Sequence, residues 1–207
     1  MTDIKSQLKE FKLFEYEEER ILICLTEMLR ILIKQKIIYQ SCREPIINRD
    51  LAKKWYDVKK NIESTAHIHM LPGAETEYGD EPDLWFTFDD NEDGQYDYHV
   101  ECKILRPKSC SGTDYCSNYV GKGIKRYCDK NYYALSKPPG GTMIGYVLDG
   151  DLKTLLITVN QKISNKNLNA ICLLGNFNQK DVTHLTQSIQ RSSVPFTLNH
   201  LWADFRQ

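Results

Sequence analysis

Between Lys60 and Lys103 the chain has no lysine and no arginine. Over that gap it has little except negative charge. From Glu75 to Glu101 stand eleven carboxylates: Glu75, Glu77, Asp80, Glu81, Asp83, Asp89, Asp90, Glu92, Asp93, Asp97 and Glu101. Other absences are as informative. The seven cysteines, at 24, 42, 102, 110, 116, 128 and 172, include no CxxC pair and are odd in number. That count argues against a secreted disulfide framework and for reduced thiols in the cytoplasm. A zinc site built on Cys110, Cys116 and Cys128 would lack the short paired spacing such sites use. The longest apolar stretch, 21 to 33, contains Glu27 and Arg30 and is too short to span a bilayer, so no membrane partner is expected. The first twenty residues are too charged for a signal peptide. With 11 Gly and 7 Pro in 207 residues, collagen-like and low-complexity classes are excluded. No GxxxxGK[ST] loop and no GxSxG elbow occurs, which argues against ATP hydrolysis and serine-hydrolase chemistry by this chain. A net charge of -1 excludes a generally basic nucleic-acid coat but allows a local basic surface.

What is present reads as one α/β domain: a small mixed sheet flanked by helices. Residues 14–40 form one long helix in this reading, with Leu22, Leu25, Leu29, Leu32 and Ile33 at helical steps. Ile21, Ile23, Ile31, Ile37 and Ile38 fall off that stripe, so the helix should be buried on more than one side. It either packs over the core as a lid or pairs with a second copy across a two-fold axis, and the pairing is favoured. A second helix opens near Pro45 and carries Ile47, Leu51, Trp55, Val58 and Ile62 on one face. Loop residues 72–81 precede a strand over 83–88. A turn at 89–95 and a strand over 96–105 complete a β-hairpin. Residues 114–134 read as a helix despite Gly121 and Gly123, 142–148 as a buried strand, and 151–163 as a further helix. Short strands and loops follow.

The charge sign reverses after the hairpin. From Cys102 to Lys137 there are eight basic residues against Asp114 and Asp129. An acidic cluster beside a basic surface is what metal-dependent phosphodiester cleavage requires, although solvated charge alone also explains it. Within the acidic stretch, Pro82-Asp83 opens one hairpin strand and Glu101-Cys102-Lys103 lies inside the other. Strand alternation places Glu101 and Lys103 on one face and Cys102 on the other. The hairpin can bring Asp83 alongside Glu101. Two hard carboxylates can hold Mg²⁺, which prefers oxygen ligands and keeps several waters. Lys103 can donate to the transition-state oxygens or orient the attacking water. Lys122, Lys125 and Arg126 share one broad helix face and are candidates for phosphate contact. His67 and His69 make an HxH pair open to a transition metal or to a structural role. His99 shares the parity of Glu101 and can tune the site.

The motif Pro82-Asp83 … Glu101-Cys102-Lys103, followed by 119–127 (YVGKGIKRY) and 143–147 (MIGYV), resembles the PD-(D/E)xK, or restriction-endonuclease-like, nuclease superfamily over about residues 44 to 148. The resemblance implies an αβββαβ core at 44–148, with 1–43 as an N-terminal helical extension and 149–207 as an embellishment of a single domain. It implies a Mg²⁺-dependent endonuclease, with Mn²⁺ able to substitute, acting on DNA more readily than RNA. Asp83, Glu101 and Lys103 would be catalytic, and Asp83 and Glu101 metal ligands. Many members add a Glu from the first core helix. Glu44 and Glu63 are the candidates here, and the helix dipole favours Glu44. Relatives of this kind are often encoded in restriction or phage-defence loci, and the near-neutral charge points to a helicase or ATPase partner that loads the DNA. The alternative is a non-catalytic subunit of the same fold that binds nucleic acid or a partner protein.

Overall fold

The computed structural model describes residues 4–35, 43–63, 65–72, 82–89, 98–108, 112–128, 140–190 and 196–206. Side chains of the first helix are described from Phe14 onward. Most of the expected turn at 89–95 and of the expected loop at 72–81 lies outside these residues, as do Cys42 and Cys110. The elements run α1 (Ile4–Lys34), α2 (Glu44–Ala52), α3 (Trp55–Lys59), β1 (Ile68–Pro72), β2 (Leu84–Phe88), β3 (Tyr98–Leu105), α4 (Tyr115–Asn118), a π-helical segment (Tyr119–Ile124), α5 (Lys125–Cys128), β4 (Gly141–Val147), α6 (Leu152–Ser164), β5 (Cys172–Leu173), β6 (Val182–Ile189) and β7 (Phe196–Asp204).

Seven strands form one mixed sheet in the order β1-β2-β3-β4-β7-β6-β5. β1, β2 and β3 are antiparallel neighbours, β3, β4 and β7 run parallel, and β7, β6 and β5 are antiparallel. Period-two alternation splits the side chains of β3 between two cores. Tyr98, Val100, Cys102 and Ile104 pack with α1, α2 and α3. Leu105, with Met143, Val147 and Trp202, packs with the 115–128 helical stretch and α6. The sheet is therefore a middle layer with helices on both faces.

Several expectations change in detail. The first helix begins at Ile4 rather than at residue 14. Its leucine stripe is taken up within the chain: Leu25, Leu29 and Leu32 are fully buried in the first core, as is the off-stripe Ile21, whereas Ile23 is exposed and Ile37 and Ile38 lie outside the described residues. Arg30 pairs with Asp181 at 3.0 Å, and Thr26 meets His184 at 3.2 Å, so the helix is also pinned to the β6 side of the sheet. The leucines that would have to meet a second copy are therefore already covered by this chain. The second helix is broken at Lys53-Lys54 into α2 and α3, whose apolar residues Ile47, Leu51, Trp55 and Val58 remain in one core. A strand not expected from the sequence, β1, covers the outer side of β2. Its Pro72 is tolerated at a sheet edge, where no ladder donor is needed. Residues 149–207, expected to be an embellishment, supply β7, an interior strand between β4 and β6.

The helix expected at 114–134 is described to Cys128 and is not regular. Asp114 caps its start by accepting from the Ser117 amide at 2.9 Å. At Gly121 and Gly123 the coil widens into the π-helical segment. Gly123 faces Met143: a Cβ there would lie 2.4 Å from the Met143 Cε and 3.5 Å from the Lys103 Cγ. The absent side chain lets this segment lie directly on β3 and β4 beside Lys103. Single π turns of this kind often stand at functional sites.

Candidate active site

Three elements converge on the Lys103 ammonium. Lys103 projects from β3 and is largely shielded. Its Nζ donates to Glu44 Oε1 at 2.9 Å, to Asp83 Oδ2 and Glu101 Oε2 at 3.3 Å each, and to its neighbour's carbonyl, Cys102 O, at 2.6 Å. Glu44 comes from the first turn of α2, Asp83 from the residue before β2, and Glu101 from β3. The β2–β3 register pairs Leu84 with Val100, which brings Asp83 to the neighbourhood of Glu101 and lets Asp83 Oδ2 accept the Cys102 amide at 2.7 Å. Glu101 is fully buried, and its second oxygen, Oε1, accepts from Arg126 at 2.5 Å.

Asp83 is fixed from behind. Asn48 donates to Asp83 Oδ1 at 2.7 Å, and the buried Tyr146 hydroxyl donates to Asn48 Oδ1 at 2.8 Å. Asn48 lies one turn after Glu44 on α2, so one helix face serves both carboxylates. Neither Asn48 nor Tyr146 is among the residues expected from the sequence. The four-residue step from Glu44 to Asn48 is the available signal for the first. Tyr146 has none, being one apolar-run residue among several.

The electrostatics follow from burial and proximity. Burial alone would lower the Lys103 pKa, but the charges of Asp83, Glu101 and Glu44 outweigh it and hold the amine above its ordinary value. Lys103 is thus a charged donor and not a base in this arrangement. Glu44 is raised, chiefly by burial, with Lys103 opposing and Asp83 reinforcing the shift. Burial likewise pushes the Cys102 thiol up, keeping it neutral on the far face of β3.

Three carboxylates face two cations, Lys103 and Arg126, in a shielded place. The net deficit of one positive charge and the all-oxygen donor set suit a hard divalent cation. Among the described residues, however, no three His, Cys, Asp or Glu side chains are gathered closely enough to share one metal ion as they stand. The carboxylates gather around the ammonium instead. Asp83 and Glu101 fit as a two-carboxylate site of the kind Mg²⁺ uses with substrate phosphates, provided Lys103 shifts from between them.

The site opens into a cleft of about 550 Å³ lined by Glu44 and by five basic residues, Arg43, Lys103, Arg106, Lys122 and Arg126. Tyr115 stands at its wall, with the Arg106 guanidinium 4.1 Å over its ring. The expected trio of phosphate-binding residues is divided. Lys122 and Arg126 line this cleft, whereas Lys125 lines a separate depression with Lys166 and Cys128. Arg126, expected only as a phosphate contact, is also ion-paired to Glu101. Glu63 is exposed after α3, and it is Glu44 that reaches Lys103. The HxH pair is split between carboxylates: His67 meets Glu17 at 3.1 Å and His69 meets Asp89 at 2.5 Å. His99 is buried on β3, its ring 6.3 Å from that of Trp85. None of the described helices is long and apolar enough to cross a membrane. Comparison with protein-family models, curated proteins and solved structures returned no match.

Proposed function

We propose that the chain is a Mg²⁺-dependent nuclease that hydrolyses nucleic-acid phosphodiesters, with DNA the more favoured substrate. The observation that carries this reading is the meeting of Glu44, Asp83, Glu101 and Lys103, from α2, the start of β2 and β3, beside a basic cleft that Glu44 and Lys103 line. The element order α2–α3, β1, β2, β3, α4–α5, β4 supports a restriction-endonuclease-like αβββαβ core. Asp83 and Glu101 would hold the ion, with Glu44 beside them. When bound, Mg²⁺ (or Mn²⁺) supplies Lewis-acid polarisation of the scissile phosphate and a more acidic bound water. Asn48 and Tyr146 keep Asp83 in one rotamer. Lys103, held protonated, donates to a non-bridging oxygen as negative charge builds there. Lys122, Arg43 and Arg106 take the neighbouring phosphates, where Arg planarity allows two-point contact. Placement in the cytoplasm as the effector of a restriction or phage-defence system, with a helicase or ATPase subunit loading the DNA, rests on the motif resemblance and on the net charge of -1.

The test is cleavage of supercoiled plasmid, single-stranded DNA and RNA by the purified chain with Mg²⁺, Mn²⁺ or EDTA, beside an Asp83→Asn control. Metal-dependent cutting lost in the control is expected. Equal cutting by both proteins would remove the assignment. One observation favours the second reading, a non-catalytic subunit that binds nucleic acid or a partner protein: all four carboxylate oxygens of Asp83 and Glu101 already accept from protein donors. That reading expects no Asp83-sensitive rise in melting temperature with divalent cation.

A further inference from the structure

Arg126 occupies a position that neither a phosphate-binding nor a structural role describes by itself. Its guanidinium lines the basic cleft with Lys122 and, from the same place, closes Glu101 Oε1 at 2.5 Å. Glu101 is fully buried, whereas about a third of the Arg126 side chain is exposed. The two partners therefore differ in exposure. Glu101 is sealed from solvent, whereas the Arg126 side chain already borders the cleft. Lys103 closes the other oxygen of Glu101, and Arg126 is the more exposed of these two cations.

We propose that Arg126 is a latch that couples substrate to metal: it covers Glu101 until a phosphodiester in the cleft draws the guanidinium away and frees that oxygen for a divalent cation. This rests on the nuclease reading of the site. The physical argument is competition for shared groups. A cation entering alone must displace Arg126 from its carboxylate and leave the guanidinium without that anion. A phosphate entering alone takes Arg126 and strips a buried carboxylate of a charged partner, which is costly. When both enter, the phosphate satisfies Arg126 and the cation satisfies Glu101, so each removes the penalty of the other. Coupling of this kind is reciprocal: DNA must tighten cation binding by the same factor by which the cation tightens DNA binding. Until DNA is present the cation binds about tenfold more weakly.

Calorimetric titration with Ca²⁺, a hard oxygen-seeking cation, tests this on the full chain with and without a saturating short DNA duplex. Asp83→Asn with the same duplex gives the baseline for cations held by DNA itself. For the unaltered chain, duplex is expected to tighten Asp83-dependent Ca²⁺ binding about tenfold or more, within the usual range of such couplings. Arg126→Gln should bind Ca²⁺ about tenfold more tightly without DNA, and DNA should then add little. If Ca²⁺ binding is Asp83-dependent but equal with and without duplex, the latch is wrong and the metal site stands. The latch is equally overturned if Arg126→Gln, folded by circular dichroism, binds Ca²⁺ no more tightly. If no arm shows Asp83-dependent binding, the nuclease reading and the latch both fall. Should Arg126→Gln not fold, Arg126→Met takes its place, and a folded variant that binds Ca²⁺ no more tightly than the unaltered chain overturns the latch.

Discussion

Glu18 gives the sharpest test of the packing. It lies on α1, and its Oε1 accepts from the Tyr98 hydroxyl at 3.0 Å and from Asn199 Nδ2 at 3.1 Å; Tyr98 is also bonded to Thr142 at 2.7 Å. Burial pushes its carboxyl from 4.5 up to about 7, against the lowering effect of those two hydrogen bonds and with a small contribution from Glu15. The sign follows directly. The folded chain keeps the proton up to about pH 7, whereas the unfolded chain releases it near 4.5, so the folded state holds more protons in between. Stability from this group is complete below pH 4.5 and is lost as pH rises through 7. The difference corresponds to about 3 kcal/mol. Glu18→Gln replaces the carboxyl with a neutral group of the same shape that still accepts from Tyr98 and Asn199. It should match the parent at about pH 4.5 and exceed it by about 3 kcal/mol at about pH 8, a gain of about 6–12 °C in melting temperature for a domain of this size. Thermal unfolding of both proteins by circular dichroism across that pH range measures this. Other titrating groups, such as the buried His200 held down at about 3, are common to both proteins and cancel in the difference. A gap that is constant with pH, or one that narrows as pH rises, would refute the placement of this carboxyl.

Further expectations concern the site and the first helix. Lys103→Met leaves three carboxylates facing one another, and should cost about 3–5 kcal/mol at about pH 8 and less at about pH 4, measured by urea unfolding at both. Asn48→Ala frees Asp83 Oδ1 and the buried Tyr146 hydroxyl. It should cost about 1–3 kcal/mol and lower cleavage by more than the loss of folded protein explains, as kinetics normalised to folded fraction would show. Leu25→Ala should cost about 2–5 kcal/mol, read from the shift in urea midpoint. Leu29→Asp should unfold the chain rather than dissociate it, which light scattering and circular dichroism together distinguish.

Helix and strand identity was legible wherever the apolar period was strong. The stretch 142–148 is an uninterrupted apolar run, and β4 is buried at every position. Residues 151–163 form α6 almost as expected, because Asp151 caps the Thr154 amide at 2.8 Å and starts the helix where the pattern begins. The parity of Glu101 and Lys103 followed from strand alternation, and Asp83 from the hairpin. What the sequence could not show arises from distant contacts. Nothing local distinguishes an α1 that pairs with another copy from one that covers its own sheet, since both bury the same leucines. The break at Lys53-Lys54 leaves the apolar spacing nearly intact. Arg126 turns to Glu101 while Lys125 turns away because successive helical residues diverge by about 100°, so the two cannot face the same cleft. β7 reads in the sequence as an undefined apolar-aromatic tail because its neighbours, β4 and β6, are set by topology alone.

The interior place of β7 has a consequence for how the chain reaches its folded form. Its hydrogen bonds to β4 run from Gly141–Leu198 to Val147–Asp204. A chain emerging from synthesis with β1 through β4 already made therefore presents an open β4 edge until residues 196–204 arrive. The strand bearing Glu101 and Lys103 is β4's other neighbour, and the aromatic packing beneath the π-helical segment includes Trp202, whose indole donates to Tyr119 at 3.0 Å. Parallel pairing between segments this far apart in the chain is slow to form. The segment that supports the site from below is thus fixed only at the end of folding, so a partly made chain carries the acidic and basic residues without the geometry that joins them.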